Sequence, residues 1–283
     1  MVEASAIEGI LPTLGRDIER FGLLRDSLKV HAGDMSRCVV VVPDADIPAF
    51  EAVIGDDPFY DLRSESAVLG RKMPKYIMHW AKKRPCRAGW YTQQLIKLAC
   101  VAQSSSQFCM TLDADLVAVN RISSSKLVID GKAIDQVTDC GDQHGAWYAG
   151  STRVLGGMKR SGVEHPVTPT LMSSHACRLL IQYLVGRMVP LLDRDWIDFL
   201  LKRAPWSEYT LYYTYLENMG LFDNYHTIVD RPVIYDPYKS VWYKSQMDEK
   251  DKGWGDIDAM FVIVQSTAGI SSDYVRAKLG IPS

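Results

Sequence analysis

Phe108-Cys109-Met110-Thr111-Leu112-Asp113-Ala114-Asp115 is an apolar, strand-forming run that ends in two carboxylates, and Leu116 to Val119 resumes the apolar pattern beyond them. The same alternation of strand and helix signals extends upstream. Gly89 to Gln103 reads as a helix with Leu95, Leu98, Ala99 and Ala102 on one side. Ile47 to Ile54 is a short helix, and Cys38 to Val42 is a β-branched strand closed by Pro43. Asp17 to Val30 carries Ile18, Phe21, Leu24 and Leu28 at helical spacing, behind a first strand from Ile7 to Leu11 that ends at Pro12-Thr13. Strands alternating with helices predict an α/β fold with a mainly parallel central sheet flanked by helices. Such sheets bind ligands at the carboxyl ends of their strands. That rule singles out Thr13, Asp44 and Asp113.

The second half is more helical and more aromatic. His175 to Met188, Asp193 to Lys202 and Ser207 to Met219 read as helices, the last with Ser207 as N-cap and Gly220 just past its end. Short strands are expected at His226 to Val229, Val233 to Tyr235 and Met260 to Val264. No Pro-, Gly- or Ser-rich linker separates the halves, so residues 1–283 are expected to form one domain, with a nucleotide-binding front (1–120) and an acceptor-binding back (121–283).

Composition narrows the classes. Of 283 residues, 47% are hydrophobic and 23% charged, as in an ordinary soluble globular protein. A net charge of −2 gives no global electrostatic case for nucleic acid. Lys82-Lys83-Arg84 reads first as a solvated loop and second as a phosphate or membrane patch. The six cysteines include no CxxC pair, and Cys38, Cys100 and Cys109 lie in apolar runs, so a zinc site is not expected and a reducing, cytoplasmic compartment is. Met1-Val2-Glu3-Ala4 lacks the features of a signal peptide. The longest apolar stretch, Leu179 to Leu192, is broken by Gln182, Gly186, Arg187 and Pro190, so membrane contact is at most peripheral.

Two carboxylates at a strand's carboxyl end can hold Mg²⁺ or Mn²⁺, and the metal can then grip a diphosphate. The chain has 25 Asp, so about two Asp-x-Asp triplets are expected by chance, and four occur. Asp46 reads as the cap of the helix that contains Pro48. Asp193 and Asp195 open a helix and suit its dipole. Asp256 and Asp258 lie in a polar stretch. Only Asp113 and Asp115 lack a capping explanation.

The block Gly89-Trp90-Tyr91-Thr92-Gln93-Gln94-Leu95-Ile96-Lys97-Leu98, followed by Leu112-Asp113-Ala114-Asp115, resembles a bacterial family of GT-A-like glycosyltransferases. So do Pro12-Thr13 with Asp17, Arg20 and Phe21, and Trp206-Ser207-Glu208-Tyr209-Thr210-Leu211-Tyr212. The resemblance implies a GT-A, Rossmann-like fold, a nucleotide-diphosphate sugar donor with UDP favoured, and Mn²⁺ or Mg²⁺. It also implies a glycan or glycolipid acceptor in cell-surface polysaccharide synthesis. A third metal ligand is not placed; His226, Gln265 or a water would serve.

Each remaining candidate has a plain structural alternative. Lys97 and Gln94 would meet the donor diphosphate, or Lys97 is a snorkelling surface lysine. Thr13 and Arg16 would touch the nucleotide, or are a cap and a solvated arginine; Asp44 would contact uracil or ribose, or starts a helix. Trp90, Trp147, Trp206, Tyr209, Tyr212 and Tyr213 would form sugar-stacking walls, or are core. Glu208, at a helix start amid aromatics, is the expected catalytic base of an inverting transfer, or merely complements the helix dipole. Two other functions share the motif: a haloacid-dehalogenase-like phosphatase, and a GT-A-like chain that only binds a nucleotide or glycan.

Overall fold

The computed structural model of the chain describes residues 7–84, 87–137, 144–159, 161–246, 254 and 256–282. Cys86 and Cys140 lie outside them. The strands are β1 (Ile7–Pro12), β2 (Met35–Val42), β3 (Tyr60–Ser64), β4 (Phe108–Thr111), β5 (Leu116–Ala118), β6 (Val128–Ile129), β7 (Lys132–Gln136), β8 (Thr170–Ser173), β9 (His226–Val229) and β10 (Phe261–Ile263). The helices are α1 (Ile18–His31), α2 (Ile47–Ile54), α3 (Glu65–Leu69), α4 (Met73–Ala81), α5 (Ala88–Gln103), α6 (Ser124–Leu127), α7 (Gly145–Val154), α8 (Ser174–Gly186), α9 (Trp196–Leu201), α10 (Glu208–Asn218), α11 (Phe222–Tyr225) and α12 (Ser272–Leu279).

The central sheet has the order β3-β2-β1-β4-β8. The first four strands are parallel and β8 is antiparallel to β4. The fold is thus α/β with a mainly parallel sheet, as the alternating pattern predicts. Successive side chains of a strand point to opposite faces. Val39 and Val41 therefore pack with Leu95, Leu98, Leu180 and Leu211 under α5, α8 and α10. Cys38, Val40 and Val42 pack with Phe21, Leu24 and Leu28 of α1 on the other face. Because both faces are covered, β2 reads as a continuous apolar run rather than an alternation.

Three elements depart from the sequence reading. β3 is an edge strand whose Asp61 and Arg63 are half-buried and ion-paired, so its apolar signal is weak. α3 and α4 lie in a stretch rich in Lys and Arg, where an apolar stripe is interrupted. β8 was read as the approach to a helix; it pairs along β4 through Phe108↔Ser173 to Thr111↔Thr170. Elsewhere the local chemistry holds. Ser207 caps α10 by accepting from Thr210 N at 3.1 Å, and Asp195 caps α9 by accepting from Asp198 N at 2.8 Å. Asp46 stands at the start of α2 but makes no cap bond; its carboxylate accepts from Gly15 N at 2.7 Å and pins the loop after β1. Gly150 of α7 faces the Pro205 carbonyl so closely that a Cβ there would overlap it, which lets α7 brace the start of α10. Among the described residues no helix is long and apolar enough to cross a membrane.

One buried charge cluster ties the back of the molecule together. His165 stacks on Tyr213 of α10 with centroids 4.1 Å apart. It bonds Asp135 of β7 through Nδ1 at 2.6 Å and Glu217 of α10 through Nε2 at 2.9 Å. Burial alone would lower its pKa, but the bonds to Asp135 and Glu217 outweigh that and raise it to about 9. A pKa raised on folding stabilises the fold fully below the unfolded value, near 6.5, and the stabilisation is lost as pH rises through the folded value. The free energy of unfolding should therefore fall by on the order of 3 kcal/mol between pH ~6.5 and ~9. Urea titrations across that range should show the slope, and His165→Asn should flatten it. An equal slope in both proteins would remove His165 from the account.

Candidate active site

The carboxyl end of β4 opens into a cleft of about 790 Å³. Its floor holds Gln94 and Lys97 from α5, Asp113 and Asp115 from the β4–β5 turn, and Glu208 and Tyr209 from α10. These elements converge because α5 is buried nearly all round, between the sheet and α4, α8 and α10. A polar residue on such a helix must find partners within the protein.

Lys97 is 2% exposed and finds three. Its Nζ lies 2.8 Å from Asp113 Oδ1, 3.2 Å from Glu208 Oε1 and 3.1 Å from the Tyr209 hydroxyl. An ammonium has three N–H donors, so all are engaged. Tyr209 in turn donates to Thr111 Oγ1 at 3.0 Å, and Thr111 to the Thr170 carbonyl at 3.1 Å, which ties the cluster to β4 and β8. Burial alone would depress the Lys97 pKa; Asp113, Tyr209 and Glu208 reverse this and hold it well above the usual lysine value.

The snorkelling reading of Lys97 is therefore corrected: it is an interior cation. With its three donors used, it acts on a ligand through Asp113 rather than by direct contact. Glu208 also differs from the sequence expectation. Its side chain is 0% exposed. The Gln94 amide nitrogen, in the orientation that lets both groups pair, donates to Glu208 Oε1 at 3.1 Å and also meets Oε2. Burial raises the Glu208 pKa against the pull of Lys97. The opposition that sequence leaves open at this helix start thus resolves toward burial.

Asp113 keeps a third of its side chain open to the cleft. Asp115 accepts from Ser266 N at 3.0 Å through Oδ1, and its main-chain carbonyl accepts from Val264 N at 2.8 Å. Burial, with Asp113 nearby, pushes the Asp115 pKa up to about 6 despite the Ser266 bond. One ammonium is thus shared among more carboxylates than it can neutralise. Oxygen donors with surplus negative charge suit a hard divalent cation. Gln265, beside Ser266, lines the cleft and offers a further oxygen. His226 does not: it is buried, bonds the Tyr212 hydroxyl through Nε2 at 2.8 Å, and stacks on Phe222. Among the described residues no three His, Cys, Asp or Glu side chains form a metal-holding group, so protein carboxylates alone do not complete a coordination shell.

The other expected donor residues lie off the cleft lining. Thr13 is buried at the end of β1, its hydroxyl without a partner in the protein. Arg16 is solvated and 3.7 Å from Asp17. Asp44 accepts from the Ser66 main-chain N and hydroxyl. Of the aromatic candidates, Trp90, Trp147 and Tyr209 line the cleft, whereas Trp206, Tyr212 and Tyr213 are core. Trp90 stacks on Trp147 at 5.2 Å, and Trp147 on His144 at 4.9 Å. The opposite wall, including Arg231, Tyr238, Trp242 and Tyr243, comes from a coil that sequence periodicity does not mark.

Removing one partner of a buried ion pair strands the other charge, at a cost of roughly 3–5 kcal/mol. Lys97→Met should lower the unfolding free energy by about that much. Adding Glu208→Gln should restore part of it, since a neutral amide needs no cation. A double-mutant cycle by urea denaturation measures the coupling. Strictly additive losses would show that the two charges do not depend on each other.

Comparison with solved structures places the architecture. Over 97% of this chain and 95% of the other, at 9% identity and a TM-score of 0.53, it is similar to the galactosyltransferase LgtC, solved in complex with donor and acceptor sugar analogues. Over 93% of this chain and 99% of the other, at 10% identity and a TM-score of 0.52, it is similar to mouse xyloside xylosyltransferase 1 in its apo form. At these identities the likeness is one of fold, and the fold is GT-A-like. No curated protein sequence matches the chain. The model of a family of unknown function, DUF6492, matches residues 4–281, and the chain belongs to that family.

Proposed function

We propose that this chain transfers a sugar from a nucleoside-diphosphate sugar, with UDP favoured, to a carbohydrate or glycolipid acceptor. The observation that carries the reading is the place of Asp113 and Asp115. They sit at the carboxyl end of the central strand β4, on the floor of the largest described cleft, in a fold shared with a galactosyltransferase solved with donor and acceptor analogues. Asp113, Asp115 and Gln265 would hold Mn²⁺ or Mg²⁺. Such a cation, when bound, offsets the negative charge that grows on the departing diphosphate.

The chain's own residues do the positioning. Lys97 fixes the Asp113 carboxylate from behind, so that its open side faces the cleft. Glu208 and Gln94 complete the lysine's cage. The unpartnered Thr13 hydroxyl, at the same sheet edge, supports a nucleotide contact on the front side. Trp90 and Trp147 supply an apolar face on which a sugar ring can stack. The same burial that favours a positioning role for Glu208 disfavours its role as base, because a carboxylate closed off from the cleft cannot take a proton from an acceptor hydroxyl.

UDP with Mn²⁺ should raise the thermal unfolding midpoint of the protein, and neither alone should do so to the same extent. Asp113→Ala/Asp115→Ala should abolish that metal-dependent increment while remaining folded. An undiminished increment in the folded variant would refute the site.

Glu208→Gln separates the two roles. As a positioning residue, its loss should weaken metal-dependent UDP affinity about tenfold together with turnover. Unchanged affinity with turnover down by at least ~10²-fold would reinstate Glu208 as the base.

A further inference from the structure

From Ser66 to Leu112 the sequence holds no Asp or Glu but eight Lys and Arg, in a chain whose net charge is −2. Lys97 is the buried one. The other seven, between Arg71 and Arg87, are all exposed, along α4 and the turns on either side of it. His79 and Met78 are exposed on the same helix.

Next to this surface stands an apolar tip. Tyr76 of α4 donates to Asp198 of α9, and the Arg194 guanidinium lies 4.9 Å over the Tyr76 ring. The turn that precedes α9 is therefore a neighbour of α4. In that turn Leu191 is fully exposed, and Val189 and Leu192 are largely so. Leu191 has φ +72°, a conformation that a leucine adopts at an energetic cost. It is held there by the bonds of Leu192 N and Asp193 N to the Val189 carbonyl, at 3.0 and 3.1 Å. The acids of this region do not offset the outward charge. Asp193 is buried and paired with Lys202 and Arg203, Asp198 is buried and paired with Lys202, and Asp195 caps α9.

We propose that this face is a peripheral membrane-docking surface, in which Leu191 and Leu192 enter the headgroup boundary of an anionic bilayer and the α4 cations hold its phosphates. The charge decides the occupant. Exposed apolar residues rimmed by cations on a helix with no acids match an anionic lipid surface in both terms. The surface needs neither the metal nor the nucleotide. It extends toward the cleft rim, since Arg87 lies three residues before the cleft-lining Trp90, and it would bring the cleft to a lipid-anchored acceptor.

The test is co-flotation of the full chain with vesicles of phosphatidylcholine, with and without about 30% phosphatidylglycerol. The protein should float with the anionic vesicles and not with the neutral ones, and raising salt from about 0.1 to about 0.5 M should release it. Leu191→Asn/Leu192→Asn, in which Asn tolerates the positive φ, should lower the partition at least ~10-fold. Lys75→Gln/Lys82→Gln/Lys83→Gln should lower it at least as much. Both variants alter exposed residues outside the cleft and should keep the wild-type unfolding midpoint and UDP–Mn²⁺ response, so failure of the docking surface and failure of the proposed function are read separately. Absence of co-flotation at low salt would overturn the proposal. So would wild-type flotation of the leucine variant, or binding of a nucleic acid that survives loss of the leucines and not of the lysines, which would assign the cations to a polyanion.

Discussion

A single buried ammonium fixes the geometry of the cleft floor. Lys97 is dehydrated on a helix enclosed on nearly every side, and that is costly unless each N–H is met by an acceptor. Asp113, Glu208 and Tyr209 meet them, and each comes from a different part of the chain: the end of β4 and the first turn of α10 against the middle of α5. The lysine thus forces β4, α5 and α10 into one register, and Tyr209 extends the register through Thr111 to β8. The cleft inherits its shape from that constraint. Asp113 is anchored on one oxygen and open on its other side, a preorganised ligand rather than a mobile carboxylate.

The electrostatic balance then points outward. Lys97 compensates Glu208 and Asp113 only in part, and Asp115 stands beside them with its pKa pushed up to about 6 by burial and by Asp113. A site in that condition gains by binding a cation, and a cation in that place gains by binding a diphosphate. The aromatic walls add area without charge, as a sugar face requires.

Much of the scaffold was legible in the sequence. Apolar runs marked β1, β2 and β4, helical spacing marked α1 and α5, and Ser207 announced α10 through its cap. Asp113 and Asp115 stood out because the other three Asp-x-Asp triplets had explanations that the structure largely bears out, Asp195 as a cap and Asp46 as a tie to Gly15. The polar interior was not legible. Whether Lys97 faces solvent or core depends on what packs around α5, and that is set by α8 and α10, some eighty to a hundred and twenty residues away. The same holds for Glu208, whose burial no local pattern could decide. The second cleft wall was missed because residues 230–246 form coil, where periodicity carries no signal. The antiparallel β8 was missed because four residues leading into a helix look like its approach.

The central claim is that Asp113 and Asp115 bind a divalent cation that grips a nucleoside diphosphate. Crystals grown with Mn²⁺ and UDP, measured at the manganese absorption edge, test it most directly. The account predicts one anomalous peak between the Asp113 and Asp115 carboxylates, with the diphosphate oxygens completing its shell and Lys97 still bonded to Asp113. UDP bound in the cleft with no anomalous peak at these carboxylates, or a peak at any other set of ligands, would contradict it.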